Sequence, residues 1–252
     1  MQILKGGSRN TYNKNIRPLV SLVIVTYNAD GNLPQCLDSI FNQSRQDFEL
    51  IIIDGESTDN TINLLKQFDN YIDYWQSEPD SGIYDAMNKA LKFVKGNWVL
   101  FLGSDDKLLE GFSEMLSILN NHNTIYYGDC ITEKELYGGS FSAYQISKRN
   151  LCQQCIFYPS QVFKKYIFNL QYPVFSDYLL NIQCWGDSGF RKKHVPLAIA
   201  FYNLEGYSSF GKDDAFKKDK SLFIRKYLGL WVYLRYQIRK LKSVSKGEKD
   251  FF

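Results

Sequence analysis

Three short runs of consecutive apolar residues, each ending in polar residues, restrict the possible folds of this chain more than any other feature. They are Val20-Ser-Leu-Val-Ile-Val-Thr26, Leu50-Ile-Ile-Ile-Asp54 and Trp98-Val-Leu-Phe-Leu102. They are short, β-branched and without the alternation that leaves one face wet, so they predict strands covered on both faces, as in a parallel sheet. Between them, Leu33, Cys36, Leu37, Ile40 and Phe41 recur at helical spacing, followed by Ile62, Leu65 and Phe68. Tyr84, Met87, Leu91 and Val94 predict a helix over 83–94, and 71–75 reads as a further strand. Strands alternating with helices across short turns predict right-handed crossovers and a mostly parallel α/β sheet.

Ligands of such sheets bind in the crevice beyond the carboxyl ends of the strands. Here that edge carries Thr26-Tyr27-Asn28, Asp54-Gly55 and Gly103-Ser104-Asp105-Asp106. After Lys107 the periodicity weakens. Phe112, Met115, Leu116 and Leu119 predict a short helix, 124–128 a strand, 133–149 loops or a hairpin, and 176–185 a helix. Without repeats or a low-complexity linker, the chain reads as one domain over 18–215 with two lobes, about 18–108 and 109–215. A tail over 216–252 follows.

Composition removes several chemistries. With only His122 and His194, a zinc site of the His-Glu-x-x-His type is impossible, and both histidines read as surface residues. Five scattered cysteines suit a reducing compartment. Cys152-x-x-Cys155 has redox or zinc spacing, but no second pair exists, so buried free thiols are expected. Gly206-Tyr-Ser-Ser-Phe-Gly211-Lys212 imitates most of a phosphate-binding loop, yet Asp213 stands where Ser or Thr must hold Mg²⁺. No run approaches the ~18 apolar residues of a membrane span, and 1–18 lack an apolar leader, so a cytoplasmic location is expected. The net charge of +3 conceals a tail of +8 on a body of −5.

Two adjacent carboxylates at a strand end repel each other, and a bound Mg²⁺ or Mn²⁺ relieves that repulsion. Asp105-Asp106 therefore predicts a cation site, with an Asp turn capping the next helix as the bland alternative. Their place on the edge shared with Asp54 favours the cation. Asp54 can accept from a base edge or a ribose hydroxyl, whereas residues 57–60 read as a helix cap. The stretch Glu78-Pro-Asp-Ser-Gly-Ile-Tyr-Asp85-Ala-Met-Asn-Lys89 enters a helix whose first amides could meet a phosphate or sugar, or simply be capped by Ser81.

Taken together, Val-Ile-Val-Thr-Tyr-Asn28, Asp54-Gly55 followed by Ser-Thr-Asp59, the 78–89 stretch and Ser104-Asp105-Asp106 resemble a family 2 glycosyltransferase with a GT-A fold. More narrowly, the chain resembles bacterial enzymes that assemble O-antigen, lipopolysaccharide and other surface polysaccharides. The resemblance runs from about Pro18 to Gly211, with four motifs in order. It implies a Rossmann-like sheet with a nucleotide-sugar half and a smaller acceptor half. It also implies inverting transfer from a nucleotide-sugar, with UDP-hexose the expected donor, to a lipid-linked saccharide. Thr26 and Asp54 would contact the base or ribose, and Asp105 the ribose; Tyr27, Asn28, Asp80 and Ser104 would complete the donor site. Asp106 would bind Mn²⁺ or Mg²⁺. Gln154 and Asp177-Tyr178 match later motifs, placing Gln154 and Tyr178 on the acceptor or sugar side and making Asp177 the general base. Two departures stand out. Gln153 replaces a His common in relatives, and Tyr207 in Gly206-Tyr207-Ser208-Ser209 replaces a frequent second Gly.

The inventory suits that chemistry. A hydroxyl acidifies sharply as its oxygen bonds to carbon, so one positioned carboxylate and one metal suffice without His. A nucleotidyltransferase is the rival enzyme, but residues 27–31 lack its Gly-rich basic loop. A nucleic-acid module would use the basic, aromatic tail, and the acidic body argues against it; no nucleic acid is expected as a partner. In the tail Tyr227, Trp231, Leu234, Ile238 and Leu241 fall at helical spacing among basic residues. That helix either packs its stripe on the body or lies on the anionic inner face of the membrane, where each Lys or Arg adds ~1 kcal/mol. The second reading makes the protein cytoplasmic and peripheral, close to a lipid-linked acceptor.

Overall fold

Each of the three apolar runs is covered on both faces in the computed structural model, which describes residues 3–8, 17–204 and 211–245. They form β2 (Val20–Thr26), β3 (Phe48–Asp54) and β5 (Trp98–Gly103), and every residue of β2 and β3 is buried. With β4 (Tyr74–Ser77) they make a parallel sheet in the order β4-β3-β2-β5, closed at one edge by the antiparallel β1 (Leu4–Gly6).

Because side chains alternate across a strand, the apolar runs feed two cores. Leu22, Ile24, Leu50, Ile52, Leu100 and Leu102 point to one face. There they meet α1 (Leu33–Phe41), α2 (Thr61–Gln67) and α4 (Glu110–Leu116) through Leu37, Ile40, Leu65, Phe112 and Met115. Val23, Val25, Ile51, Ile53, Val99 and Phe101 point to the other, against α3 (Ile83–Ala90) and α6 (Ser176–Gly186). The register sets Thr26 beside Asp54, Asp54 beside Ser77, and Val25 beside Gly103. The polar ends of four strands therefore share one edge.

The second half extends the same sheet with mixed pairing. β9 (Ile156–Pro159) lies antiparallel between β5 and β7 (Thr124–Ile131), and β10 (Arg191–Phe201) runs parallel to β7. The two-residue β6 (Lys107–Leu108) closes on β10, and β8 (Leu136–Tyr137) forms a hairpin with β7. Residues 133–149, expected as loop or hairpin, also contain α5 (Ala143–Lys148). Its start is fixed by reciprocal bonds between Ser142 and Gln145, a capping box legible in Ser-Ala-Tyr-Gln. Helix α3 ends at Ala90 rather than 94, because the chain must turn there toward Gly96. A Cβ on Gly96 would stand 2.4 Å from the Ser21 amide nitrogen.

The basic tail is not detached at 216. Phe216, in α7 (Asp214–Phe223), is buried and stacks near Tyr172, Phe175 and Tyr178. Asp213, the residue that spoils the phosphate-loop pattern, caps α7 and also accepts from the amides of Val174 and Phe175. The expected single tail helix is broken. A π-helical turn (Ile224–Leu228) leads to Gly229 at φ 88°, and α8 (Leu230–Ser245) starts afresh. Tyr236 of α8 packs inward, with Arg235 lying over the Tyr144 ring at 3.9 Å. Trp231, Leu234, Ile238 and Leu241 face outward, Trp231 with 86% of its surface exposed. The stripe is therefore divided: Tyr227 packs on the second core as the packing reading expects, and its other four members face outward.

Candidate active site

A cleft of about 1250 Å³ opens beyond the shared strand edge. Thr26, Tyr27, Asn28, Asp80, Ser104, Asp105, Asp106, Gln154 and Asp177 all line it. Two residues expected there do not. Asp54 is fully buried, and its carboxylate accepts from the Thr26 hydroxyl (3.0 Å), the Ser77 hydroxyl (2.7 Å) and both the amide and hydroxyl of Ser57. Four donors match the lone-pair sites of a carboxylate, so Asp54 braces the edge instead of facing a ligand. Tyr178 is buried in the core, its hydroxyl donating to the Ile146 carbonyl at 2.8 Å.

The loops after β2 and β3 are tied together by Asn28. It adopts φ 48°, a left-handed conformation that Asn tolerates better than most residues. Its side-chain oxygen accepts from the Thr58 amide at 2.9 Å, and its own amide donates to the Ser57 hydroxyl at 2.8 Å. The exposed ring of Tyr27 is left at the cleft wall. Asp80 reaches the cleft over Gly55, where a Cβ would stand 2.5 Å from its Oδ2. The Gly82 amide donates to Asp80 at 2.8 Å, and burial pushes its carboxyl above the usual range. Lys89 gathers the 78–89 stretch by pairing with Asp85 (3.3 Å) and Glu78 (3.5 Å).

Asp106 is almost fully buried. Its Oδ2 accepts from Gln154 Nε2 at 2.7 Å and the Gly103 amide at 3.2 Å, and its Oδ1 from the Asn203 amide at 2.9 Å. Burial, reinforced by the neighbouring Asp105 carboxylate, still pushes its pKa up to about 7. Asp105 is also raised by burial. Both carboxylates converge over Gly103, where a Cβ would meet Asp106 Oδ2 at 2.6 Å and Asp105 Oδ1 at 2.8 Å. Two carboxylates crowded over a glycine at the cleft edge, Asp106 buried and Asp105 half-buried, form a donor set that fits a hard, oxygen-seeking divalent cation.

Elsewhere in the cleft Asp177, in the first turn of α6, accepts from the Tyr84 hydroxyl at 2.8 Å and from Asn150 Nδ2 at 2.6 Å. Tyr84 comes from α3 and Asn150 from the segment after α5, so three parts of the chain fix this carboxylate. Burial raises its pKa to about 6 despite those two bonds. Sequence reading assigned Tyr84 to the helical core face and passed over Asn150; nothing in their local patterns marks them. Gln153, in place of the relatives' His, sits in the cleft with Nε2 3.8 Å from the Met87 sulfur. His122 is exposed as expected, but His194 is half-buried, with Nε2 2.7 Å from Asp129 Oδ1. The loop motif 206–209 lies outside the described residues.

These raised carboxyls make a stability prediction. Unfolded aspartates titrate near 3.9, so between about pH 4 and 7 the folded state binds more protons than the unfolded one. Stability from these groups is greatest in acid and falls as pH rises through about 6 and 7. Each pKa unit is about 1.4 kcal/mol, and each kcal/mol is about 2–4 °C in a chain of this size. In EDTA, Tm is expected to drop by roughly 5 °C or more between pH 5 and 8. Mn²⁺ should restore it at pH 8, and Asp106→Asn should flatten the slope. A scanning-calorimetry profile that rises with pH over this window would contradict the assignment.

The family model described as Glycosyl transferase family 2 matches residues 21–195. Among curated proteins, the chain is 34% identical over 242 residues to a PGL/p-HBAD biosynthesis glycosyltransferase of Mycobacterium bovis (strain BCG / Pasteur 1173P2), covering 91% of this chain and 94% of that one. It is 30% identical over 142 residues to the UDP-Glc:alpha-D-GlcNAc-diphosphoundecaprenol beta-1,3-glucosyltransferase WfgD of Escherichia coli, covering 54% and 56%. Among solved structures, the mannosyltransferase PcManGT from Pyrobaculum calidifontis in complex with GDP-Man and Mn²⁺ superposes with a TM-score of 0.61 at 15% identity, covering 89% of this chain and 65% of that one.

Proposed function

The chain belongs to glycosyl transferase family 2 and has its GT-A fold, and from that premise we propose that it transfers a sugar from a nucleotide-sugar to a hydroxyl of a lipid-linked saccharide, with inversion, in the synthesis of a surface glycan. The observation that carries this reading is the shared cleft, which is lined both by the Asp105–Asp106 pair and by the doubly hydrogen-bonded Asp177. Asp177 takes the proton of the attacking hydroxyl. Its Tyr84 and Asn150 partners hold the carboxylate in position, and a pKa near 6 leaves it ionised at neutral pH yet more basic than an exposed aspartate. Asp106 holds Mn²⁺ or Mg²⁺ and Asp105 meets the ribose. When bound, such an ion offsets the negative charge growing on the departing nucleoside diphosphate. Tyr27 offers an exposed ring for a base, and Asp54 acts through Thr26, Ser57 and Ser77 by keeping the donor edge rigid.

UDP is the proposed nucleotide and a saccharide on a polyprenyl diphosphate the proposed acceptor, as the name of the Escherichia coli relative describes for that enzyme. The Pyrobaculum enzyme binds GDP-Man with Mn²⁺, so the test compares nucleotides. Incubation with UDP- and GDP-sugars, Mn²⁺ and a polyprenyl-diphosphate saccharide should release one nucleoside diphosphate per sugar transferred. Release of pyrophosphate from UTP or GTP supplied with a sugar 1-phosphate, with no transfer from the nucleotide-sugars, would favour the nucleotidyltransferase rival.

Among the described residues no helix is long and apolar enough to cross a membrane. The outward stripe of α8, with Trp231, Leu234, Ile238 and Leu241 flanked by Arg235, Arg239 and Lys242, supports peripheral attachment to the anionic inner membrane face. Substituting both Trp231 and Ile238 by Ser should weaken co-sedimentation with phosphatidylglycerol vesicles about 10-fold or more. Activity on a soluble acceptor should be unchanged, since neither residue lines the cleft. Undiminished vesicle binding would remove α8 from that role.

A further inference from the structure

Cys130, Cys152 and Cys155 converge although the first stands 22 and 25 positions before the other two. Cys130 lies on β7, Cys152 precedes the 3₁₀ turn (Gln153–Cys155) that leads into β9, and Cys155 is the last residue of that turn. The β7–β9 pairing sets Tyr127 beside Ile156 and thereby brings that turn against β7. All three sulfurs lie within 4.8 Å of one another, and none is in a disulfide. Cys130 and Cys155 are buried, while Cys152 is half-buried and lines the cleft, leaving a route of entry. The remaining two cysteines share nothing of this arrangement: Cys36 is buried beside the Gly103 carbonyl, and Cys184 is buried in α6.

We propose that Cys130, Cys152 and Cys155 form a binding site for one thiophilic divalent cation, Zn²⁺ in the cell. Tetrahedral thiolate sites have Zn–S distances of about 2.3 Å, which puts sulfurs about 3.8 Å apart, and a Cys-x-x-Cys turn supplies two such ligands from one loop. The three sulfurs need close by no more than about 1 Å per pair to meet that geometry. The thiol hydrogens now rest on oxygen acceptors: Cys152 on Gln154 Oε1 (3.1 Å), Cys155 on the Asp129 carbonyl (3.1 Å), and Cys130 on the Tyr137 carbonyl (3.6 Å). Metal binding releases those protons and turns the sulfurs toward the ion. A soft three-sulfur site is chemically distinct from the carboxylate corner, because Mg²⁺ and Mn²⁺ prefer oxygen ligands.

The site has a consequence for the cleft. Gln154 accepts from Cys152 and donates to Asp106 at 2.7 Å. A cation that takes the Cys152 sulfur removes the proton that Gln154 accepts and leaves Gln154 held by its bond to Asp106.

The test is a Cd²⁺ titration of reduced, EDTA-stripped full-length protein, followed by the thiolate-to-cadmium charge-transfer absorbance in the ultraviolet, with Zn²⁺ as competitor. One equivalent should saturate the band, with an intensity for three thiolates, and Zn²⁺ should displace it. Cys152→Ser, half-exposed and therefore tolerant, should lose about a third of the band per bound ion and bind at least 10-fold more weakly. A Cys36→Ala, Cys184→Ala double variant should titrate like wild type. Absence of the band in protein with native circular dichroism, or a band unchanged by Cys152→Ser and Cys130→Ala, would overturn the proposal. Cadmium held at Asp105 and Asp106 gives no such band and counts against it.

Discussion

Asp177→Asn is expected to lower turnover by about 10³-fold while the donor nucleotide still binds within about twofold of wild type. The substitution removes one proton acceptor and changes little volume. The Tyr84 hydroxyl can still donate to the remaining side-chain oxygen, but the new amide would face Asn150 Nδ2, and Asn150 cannot simply flip because its Oδ1 accepts from Asn181 at 2.9 Å. Some local rearrangement is therefore expected, and loss of activity alone would not separate chemistry from disorder. The pH profile does. Wild-type kcat/KM should fall below about pH 6 as Asp177 takes a proton, and the residual activity of the variant should lose that limb. Calorimetry on the same preparation reports nucleotide affinity. A parallel collapse of nucleotide binding and turnover would remove Asp177 from the role of base.

The second large effect is at the carboxylate corner. Asp106→Asn should weaken Mn²⁺-dependent UDP binding by about 100-fold or more, to the level that EDTA imposes on wild type, because a neutral amide supplies no negative charge to a dication. Burial already favours a neutral side chain there, with the Asp106 pKa at about 7, so the fold should persist. The new amide must face either the Asn203 amide or Gln154 Nε2, and a local shift of that partner is expected. Gly103→Ala probes the same corner without removing a ligand. Its methyl would stand 2.6 Å from one carboxylate and 2.8 Å from the other, so it should spread them and give an intermediate loss. Metal-independent nucleotide binding, equal in wild type and both variants, would rule out the corner as the cation site and leave the donor held by protein groups alone.

Much of the cleft edge was legible because its parts sit at strand ends. A buried parallel strand announces itself by composition, and the residue after it must lie at the carboxyl edge; Thr26, Ser104, Asp105 and Asp106 followed from that rule. Asp54 obeyed the same rule and yet faces inward, because Ser57 and Ser77 reach its carboxylate first. Which lone pairs remain for a ligand depends on hydrogen bonds between segments, and those carry no local signature. Helix α5 had a readable cap at Ser142 but too short an apolar pattern to declare itself. The thiol cluster was half visible, as Cys152-x-x-Cys155, and its third member came from another strand.

The sequence by itself determined the alternation of strands and helices, the polar strand edge, the carboxylate pair, and the apolar stripe within a basic tail. These are properties of residues within about ten positions of one another, written by strand and helix periods. Only the tertiary structure decided that Tyr84 and Asn150 hold Asp177, that Gln154 joins Asp106 to a thiol cluster, and that the stripe of α8 faces outward. Each of these depends on side chains from segments up to 93 residues apart meeting across a packed interface, where burial sets both their charge and their partners.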